Sequence, residues 1–246
     1  MILDVAIRLL LAPILGVQAM NVRKRALHLP EASGARRGTL GAGPVLRLLI
    51  VGDSSAAGVG VQTQTAALAG QLSAKLATAF TVHWQLHAKT GATTASTCAS
   101  LRESQPDPAD IIVTALGVND VTHAVPRPLW LRRQRDLRRL LLEQTGARQI
   151  YVTGIPPLGH FPLLPNPLRW LLGRTAHQFD HALAMELARE ATATHVAQPT
   201  VLNAAHMAAD GFHPGPEIYG EWANVMARRI ISDWPLTRLK SAPRAS

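Results

Sequence analysis

The sequence predicts an α/β domain, a parallel sheet with helices on both faces. Short apolar runs of strand length alternate with longer stretches of helical spacing. Gly52, Gly117 and Gly154 end such runs, as expected where buried parallel strands turn off a sheet. Aromatic residues are few while Ala and Leu are abundant, which suits helices packed on a sheet. The 246 residues suffice for one well-buried domain.

The elements follow in order. Ile2 to Met20 is mostly apolar but carries Asp4, Arg8 and Pro13, and Arg23-Lys24-Arg25 comes after it. This reads as an apolar N-terminal helix within residues 1–29. The Gly-, Pro- and Ala-rich residues 30–44 read as a linker. The main domain is expected over residues 45–236, and residues 237–246 as a flexible tail. Val45 to Val51 is the first strand, Thr65 to Ala79 a helix, and Phe80 to Leu86 a second strand. Thr93 to Glu103 is a helix, Asp110 to Leu116 the third strand, and Pro128 to Thr145 a helix with an arginine-rich outer face. Gln149 to Thr153 is the fourth strand, and Gly159 to Pro167 a proline-rich apolar loop. A long helix over Leu171 to Thr194 precedes a short fifth strand at Thr200 to Leu202. Pro216 to Trp234 is the last helix.

Composition removes some classes of function. One cysteine, Cys98, excludes an internal disulfide and any multi-cysteine metal site, and reads as a buried filler. The net charge of +9 comes from clustered arginines. No helix-turn-helix, zinc-finger or aromatic RNA-binding signature accompanies them, so no nucleic-acid partner is expected. A basic solvated surface and attraction to anionic lipid are the remaining readings. The N-terminal segment has three. A cleaved signal peptide wants positive charge before the apolar run, although Val17-Gln18-Ala19 resembles a cleavage site. A spanning helix wants about 20 apolar residues without charge. An uncleaved helix lying in a membrane interface, or packing on its own domain, fits best, because the basic cluster would meet anionic headgroups. Cytoplasmic-side peripheral membrane association is therefore the expectation; periplasmic or secreted placement after cleavage is the alternative.

Four short islands carry chemistry: Gly52-Asp53-Ser54, Gly91, Gly117-Val118-Asn119-Asp120 and Asp210-Gly211-Phe212-His213. Each follows an expected strand, and α/β sheets place ligand sites at the carboxyl ends of their strands. Ser54 is a candidate nucleophile, which needs a base. His213 is the candidate base, since imidazole titrates near neutrality. Asp210, three residues earlier, can fix its tautomer. Ser54 N, Gly91 N and the Asn119 carboxamide can form an oxyanion hole. The plain alternatives are a helix-capping histidine at 213, an ordinary strand-to-helix turn at 91 and a turn-forming Asn119. Asp53 and Asp120 read as loop braces; no close Asp-x-Asp spacing supports a hard-metal site, and neither metal nor cofactor is expected.

These islands resemble the blocks of the SGNH hydrolases, also called GDSL esterases and lipases. The first block is Gly52-Asp53-Ser54-Ser55-Ala56-Ala57-Gly58-Val59-Gly60, with Ser55 where the GDSL name has Leu. Gly91 stands at the second block, Gly117-Val118-Asn119-Asp120 at the third and Asp210-Gly211-Phe212-His213 at the fifth. The resemblance covers roughly residues 45–234. It implies a flavodoxin-like three-layer α/β/α sandwich around a five-stranded parallel sheet. It implies Ser54, Asp210 and His213 as catalytic, with Ser54, Gly91 and Asn119 as the oxyanion hole. The implied activity is hydrolysis of carboxylic esters through an acyl-enzyme, on a small-molecule or lipid ester. The apolar loop from Pro156 to Pro165 is a candidate acyl-binding wall. A polysaccharide O-acetyl esterase and a catalytically silent membrane-associated binding module are the alternatives.

Overall fold

The apolar run at Val45 forms the centre of the sheet. Its strand, β2 (Val45–Gly52), follows a helix, α1 (Ile2–Arg25), and a short strand, β1 (Arg37–Leu40). The computed structural model describes residues 2–198 and 203–234. After β2 come α2 (Leu68–Leu76), β3 (Thr81–Ala88), α3 (Thr94–Glu103), β4 (Ile111–Ala115) and the single turn α4 (Val118–Thr122). They are followed by α5 (Arg127–Thr145), β5 (Gln149–Thr153), α6 (Leu168–Leu187), β6 (Ala193–Val196) and α7 (Pro216–Asp233).

Among the described residues the sheet has six strands, in the order β1-β3-β2-β4-β5-β6. The pairs from β3 to β6 are parallel, and β1 is antiparallel to β3. β2 shows why both faces must be covered. Leu46, Leu48 and Ile50 enter the core layer under α2 and α7, while Leu49 and Val51 enter the opposite layer under α3, α5 and α6. A strand with no polar face is stable in the middle of a sheet covered on both sides, which is the three-layer sandwich.

Three expectations need correction, and a fourth lies partly outside the described residues. The segment 30–44 is not a plain linker. It contains β1, it bridges Ser33 to Thr63, and Ala32 is buried. The sheet thus gains an antiparallel edge strand that covers β3. The parallel strand beside β5 is Ala193–Val196 rather than Thr200 to Leu202; that stretch, like the expected tail, lies outside the described residues. Accordingly α6 ends at Leu187, well before Thr194. Finally, the arginine face of α5 is not wholly solvated. Arg138 is 2% exposed and donates to Glu186 (2.8 Å) and Glu190 (2.8 Å), pinning α5 to α6 and the turn that follows it.

α1 packs on the domain through Leu15, Ala19 and Val22. Gln18 fixes it: its amide donates to Asn166 O (2.7 Å) and accepts from Leu168 N (3.0 Å). This anchors the helix to the start of α6.

Arg138→Ala strips both glutamates of a buried partner. It is expected to lower stability by about 3 kcal/mol, and Tm by roughly 6–12 °C. Thermal unfolding followed by circular dichroism checks this.

Candidate active site

The carboxyl end of β2 carries the first site residue. Gly52 closes the strand where the next turn folds tightly against it. A Cβ there would meet Ala56 Cβ at 2.4 Å and Ala115 O at 2.8 Å, so no side chain fits. Ser54 therefore sits in a turn pressed onto β4, with Asp53 N bonded to Ala115 O (3.2 Å) and Ala57 N to Asp53 O (2.9 Å). Tyr219 of α7 reaches across to the same turn. Its hydroxyl lies 2.9 Å from Ser55 O and 2.8 Å from Val59 O. Burial, with Asp53 and Asp210 nearby, pushes the Tyr219 phenol well above its usual range, so it stays a neutral donor.

His213 and Asp210 lie on the arm between a short 3-10 turn, Ala204–His206, and α7. The arm is closed by Ala208 N to His213 O and Gly211 N to Ala208 O, both 2.9 Å. Asp210 Oδ1 accepts from the backbone N–H groups of Phe212 and His213, each at 2.9 Å. Its Oδ2 faces His213 Nδ1 at 2.5 Å. Burial alone would raise the Asp210 carboxyl, but the His213 ring and these backbone donors hold it below its ordinary value. An ionised Asp210 requires the ring hydrogen on Nδ1. Nε2 then presents its lone pair to Ser54 Oγ, 2.9 Å away. A proton can pass directly from serine to imidazole.

Asn119 is the second residue of α4, the single turn after β4. Its Nδ2 donates to Ala92 O (3.0 Å) and Asp53 Oδ2 (3.3 Å). The bond to Asp53 is the longer of the two. Asp53 Oδ1 also accepts from Ser55 N (3.0 Å) and Ser55 Oγ (2.8 Å). Asp120 Oδ2 accepts from Thr94 N (3.0 Å) and Thr94 Oγ1 (2.9 Å). Both carboxylates hold loop N–H groups, and burial raises both above the ordinary range. Gly91 follows β3 with φ +78°, a left-handed turn that favours glycine.

Ser54, His213 and Asp210 thus form one hydrogen-bonded line, and Asn119 lines the same cavity. Gly91 lies on an adjoining groove of mixed polar and apolar lining, linked to Asn119 through the carbonyl of its neighbour Ala92. The Ser54 cavity is walled by Leu116, Val118, Ile155, Phe161, Phe212 and Trp222. From the proline-rich loop, Pro156 and Phe161 reach this wall, whereas Leu158 and Leu164 pack in the core behind it. Phe161 and Phe212 meet edge to face at 5.2 Å. Among the described residues no three His, Cys, Asp or Glu side chains converge to hold a metal ion. Tyr219 was not foreseen from the sequence; a tyrosine on an apolar helix face carries no local signal that its hydroxyl braces another loop.

A serine paired to an Asp-oriented imidazole at the strand ends of a parallel sheet defines the α/β serine hydrolases as a class. The sequence model of the GDSL-like Lipase/Acylhydrolase family matches residues 50–220, and the chain belongs to that family. Solved structures share the fold. TesA is 22% identical, with a TM-score of 0.58, covering 77% of this chain and 99% of its own. The Clostridium thermocellum family 3 carbohydrate esterase is 15% identical, with a TM-score of 0.62, covering 79% and 98%. The lipase Lip_vut3 from a goat rumen metagenome is 16% identical, with a TM-score of 0.61, covering 74% and 96%. A sequence search of curated proteins finds no match.

Asp53 gives a pH test. Its folded value lies above the unfolded one, so the native state binds this proton more tightly, and stability falls as pH rises between the two values. Asp53→Asn removes that loss. The variant is expected to melt at or above wild type at pH 7, with the gap closing toward pH 4. Thermal melts across that range check it; a gap that widens on acidification contradicts it.

Proposed function

We propose that this chain is a serine esterase that hydrolyses carboxylic esters of short to medium acyl chains, lipid or lysophospholipid esters among them. The observation that carries the reading is the Ser54–His213–Asp210 line opening on an apolar cavity. Ser54 Oγ attacks the ester carbonyl as His213 Nε2 takes its proton. Asp210 keeps the ring in the required tautomer and stabilises the imidazolium. The carbonyl oxygen becomes an oxyanion that accepts from Ser54 N, Gly91 N and Asn119 Nδ2. Collapse breaks the bond to the alcohol, which leaves with the proton from His213. Water, deprotonated by the same imidazole, then attacks the acyl-serine; the bond to Ser54 Oγ breaks, Oγ takes that proton back from His213, and the acid is released. The acyl group lies against the aromatic and aliphatic wall.

One observation favours the alternative of an acetylated carbohydrate substrate. The groove beyond Gly91 is open and of mixed character, more polar than the Ser54 cavity, with His87, Lys89, Ser96 and Ser100 on its walls. A structural neighbour is a carbohydrate esterase. Comparing acetylated sugars with an acyl-chain series of aryl esters separates the two.

Membrane association belongs to the same proposal. α1 exposes Ile14, Val17 and Met20, each at least half accessible, and ends in Arg23-Lys24-Arg25. Among the described residues no helix is long and apolar enough to cross a membrane. The proposed mode is a helix lying on an anionic cytoplasmic surface. The packing of Leu15, Ala19 and Val22 on the core favours an uncleaved helix over secretion after cleavage.

Ser54→Ala is expected to cut kcat on aryl esters by at least about 10³-fold and to abolish labelling by an organophosphonate. Wild-type turnover by this variant would refute the assignment. Unlabelled, inactive wild-type enzyme would instead favour a silent binding module. In the full chain, serine at positions 14, 17 and 20 together is expected to abolish sedimentation with anionic vesicles. Unchanged binding would exclude α1 as the contact.

A further inference from the structure

The segment before β1 touches the site at two places. Glu31 Oε1 accepts from Thr90 N (2.7 Å) and Thr90 Oγ1 (2.8 Å). Its other oxygen pairs with Arg36, whose Nη1 donates to Ala88 O (2.7 Å). One residue later the chain is tied to the turn of Ser54. Ala32 N donates to Ala57 O (3.2 Å), and the buried Gln64 amide donates to both Ala32 O (3.1 Å) and Ala57 O (3.0 Å). Ser33 N to Gln62 O (2.9 Å) and Gln64 N to Ser33 O (2.8 Å) complete the fastening. Residues 31–36 therefore strap the nucleophile turn to the Thr90–Gly91 turn.

The second turn needs such a strap. Around the place where a Cβ would stand at Gly91 there is nothing within 4 Å, so packing does not hold this residue. Glycine adds backbone freedom of its own. The turn closes on itself through Ala92 N to Lys89 O (3.1 Å), and hydrogen bonds from outside fasten its two ends: Glu31 to Thr90, and Asn119 to Ala92 O. Oxyanion donors act by being fixed beforehand, and small misplacements are costly.

We propose that Glu31 is a positioning residue for the oxyanion hole, its carboxylate fixing the Thr90–Gly91 peptide so that Gly91 N points at the oxyanion. This rests on the reading of Ser54 as nucleophile and Gly91 N as donor. Glu31 touches neither substrate nor reacting atoms; it acts through Thr90. Burial alone would raise its carboxyl, but the Thr90 bonds and Arg36 hold it below the usual range, so it is ionised where the enzyme is assayed.

The test uses the full chain carrying Glu31→Ala, Glu31→Gln or Thr90→Val, an aryl ester, and a boronic acid whose tetrahedral serine adduct bears an oxygen where the oxyanion forms. Glu31→Ala is expected to lower kcat by about 10–100-fold with KM within about twofold. The boronate Ki should rise in step with the fall in kcat. Glu31→Gln keeps an acceptor for Thr90 and is expected to recover much of the loss. Thr90→Val removes one of the two bonds and is expected to fall between wild type and Glu31→Ala; it serves, with the Gln variant, if the alanine variant does not fold. A lower Tm with unchanged kcat and Ki, or a change confined to KM, would overturn the proposal and leave the esterase reading intact. Wild-type enzyme that neither turns over the ester nor binds the boronate would overturn both, and Ser54→Ala, run in parallel, tells the two failures apart.

Discussion

The Asp210 carboxylate is the fixed point from which the site is built. One oxygen takes two backbone N–H groups of its own arm, and the other takes the His213 ring. These bonds, the His213 ring foremost, hold the Asp210 carboxyl below its ordinary value despite burial, and a charged neighbour dictates which ring nitrogen carries hydrogen. The direction of the whole hydrogen-bonded line follows from that choice. Because the donors come from residues 212 and 213, the orientation of the imidazole is set within four residues of chain, and the fold has only to deliver the arm as a unit to Ser54.

Delivery falls to the sheet and its two covering layers. β2 and β4 bring Ser54 and Asn119 to neighbouring strand ends, with Gly52 allowing the turn to lie flat against Ala115. α7 packs Trp222 and Met226 into the first layer and places Tyr219 under the nucleophile turn. The buried acids Asp53 and Asp120 work against this economy, since burial disfavours their charge. They persist where loops meet, each holding N–H groups that no strand or helix would otherwise satisfy. Stability is given up locally for definite loop geometry.

Much of this was legible in the sequence, for a physical reason. β2, β4 and β5 are buried on both faces, so their apolar runs announce them, and the site residues follow directly at their ends. Asp210 and His213 were readable because their interaction is local. What escaped was long-range. β1, Arg37-Gly38-Thr39-Leu40, is mostly polar and becomes a strand by pairing with β3. β6 reads Ala-Thr-His-Val, less apolar than the nearby Thr200 to Leu202 that drew the expectation. Arg138 looked solvated because its counter-charges lie about 50 residues away in sequence. Glu31 stood in a stretch whose glycines and proline suggested slack chain, while its partner Thr90 belongs to another strand's end.

The bond between Ser54 and His213 spans 159 positions of sequence. A ribosome makes the serine early and the histidine late, followed directly by α7. Until that helix docks, neither the imidazole nor the Tyr219 brace is in place, and Ser54 is an ordinary alcohol. Under the proposed mechanism, acquisition of reactivity would wait on completion of the core. Under that mechanism, a chain stopped short or clipped before the last arm would lack the base that activates Ser54, whatever part of its sheet has already formed.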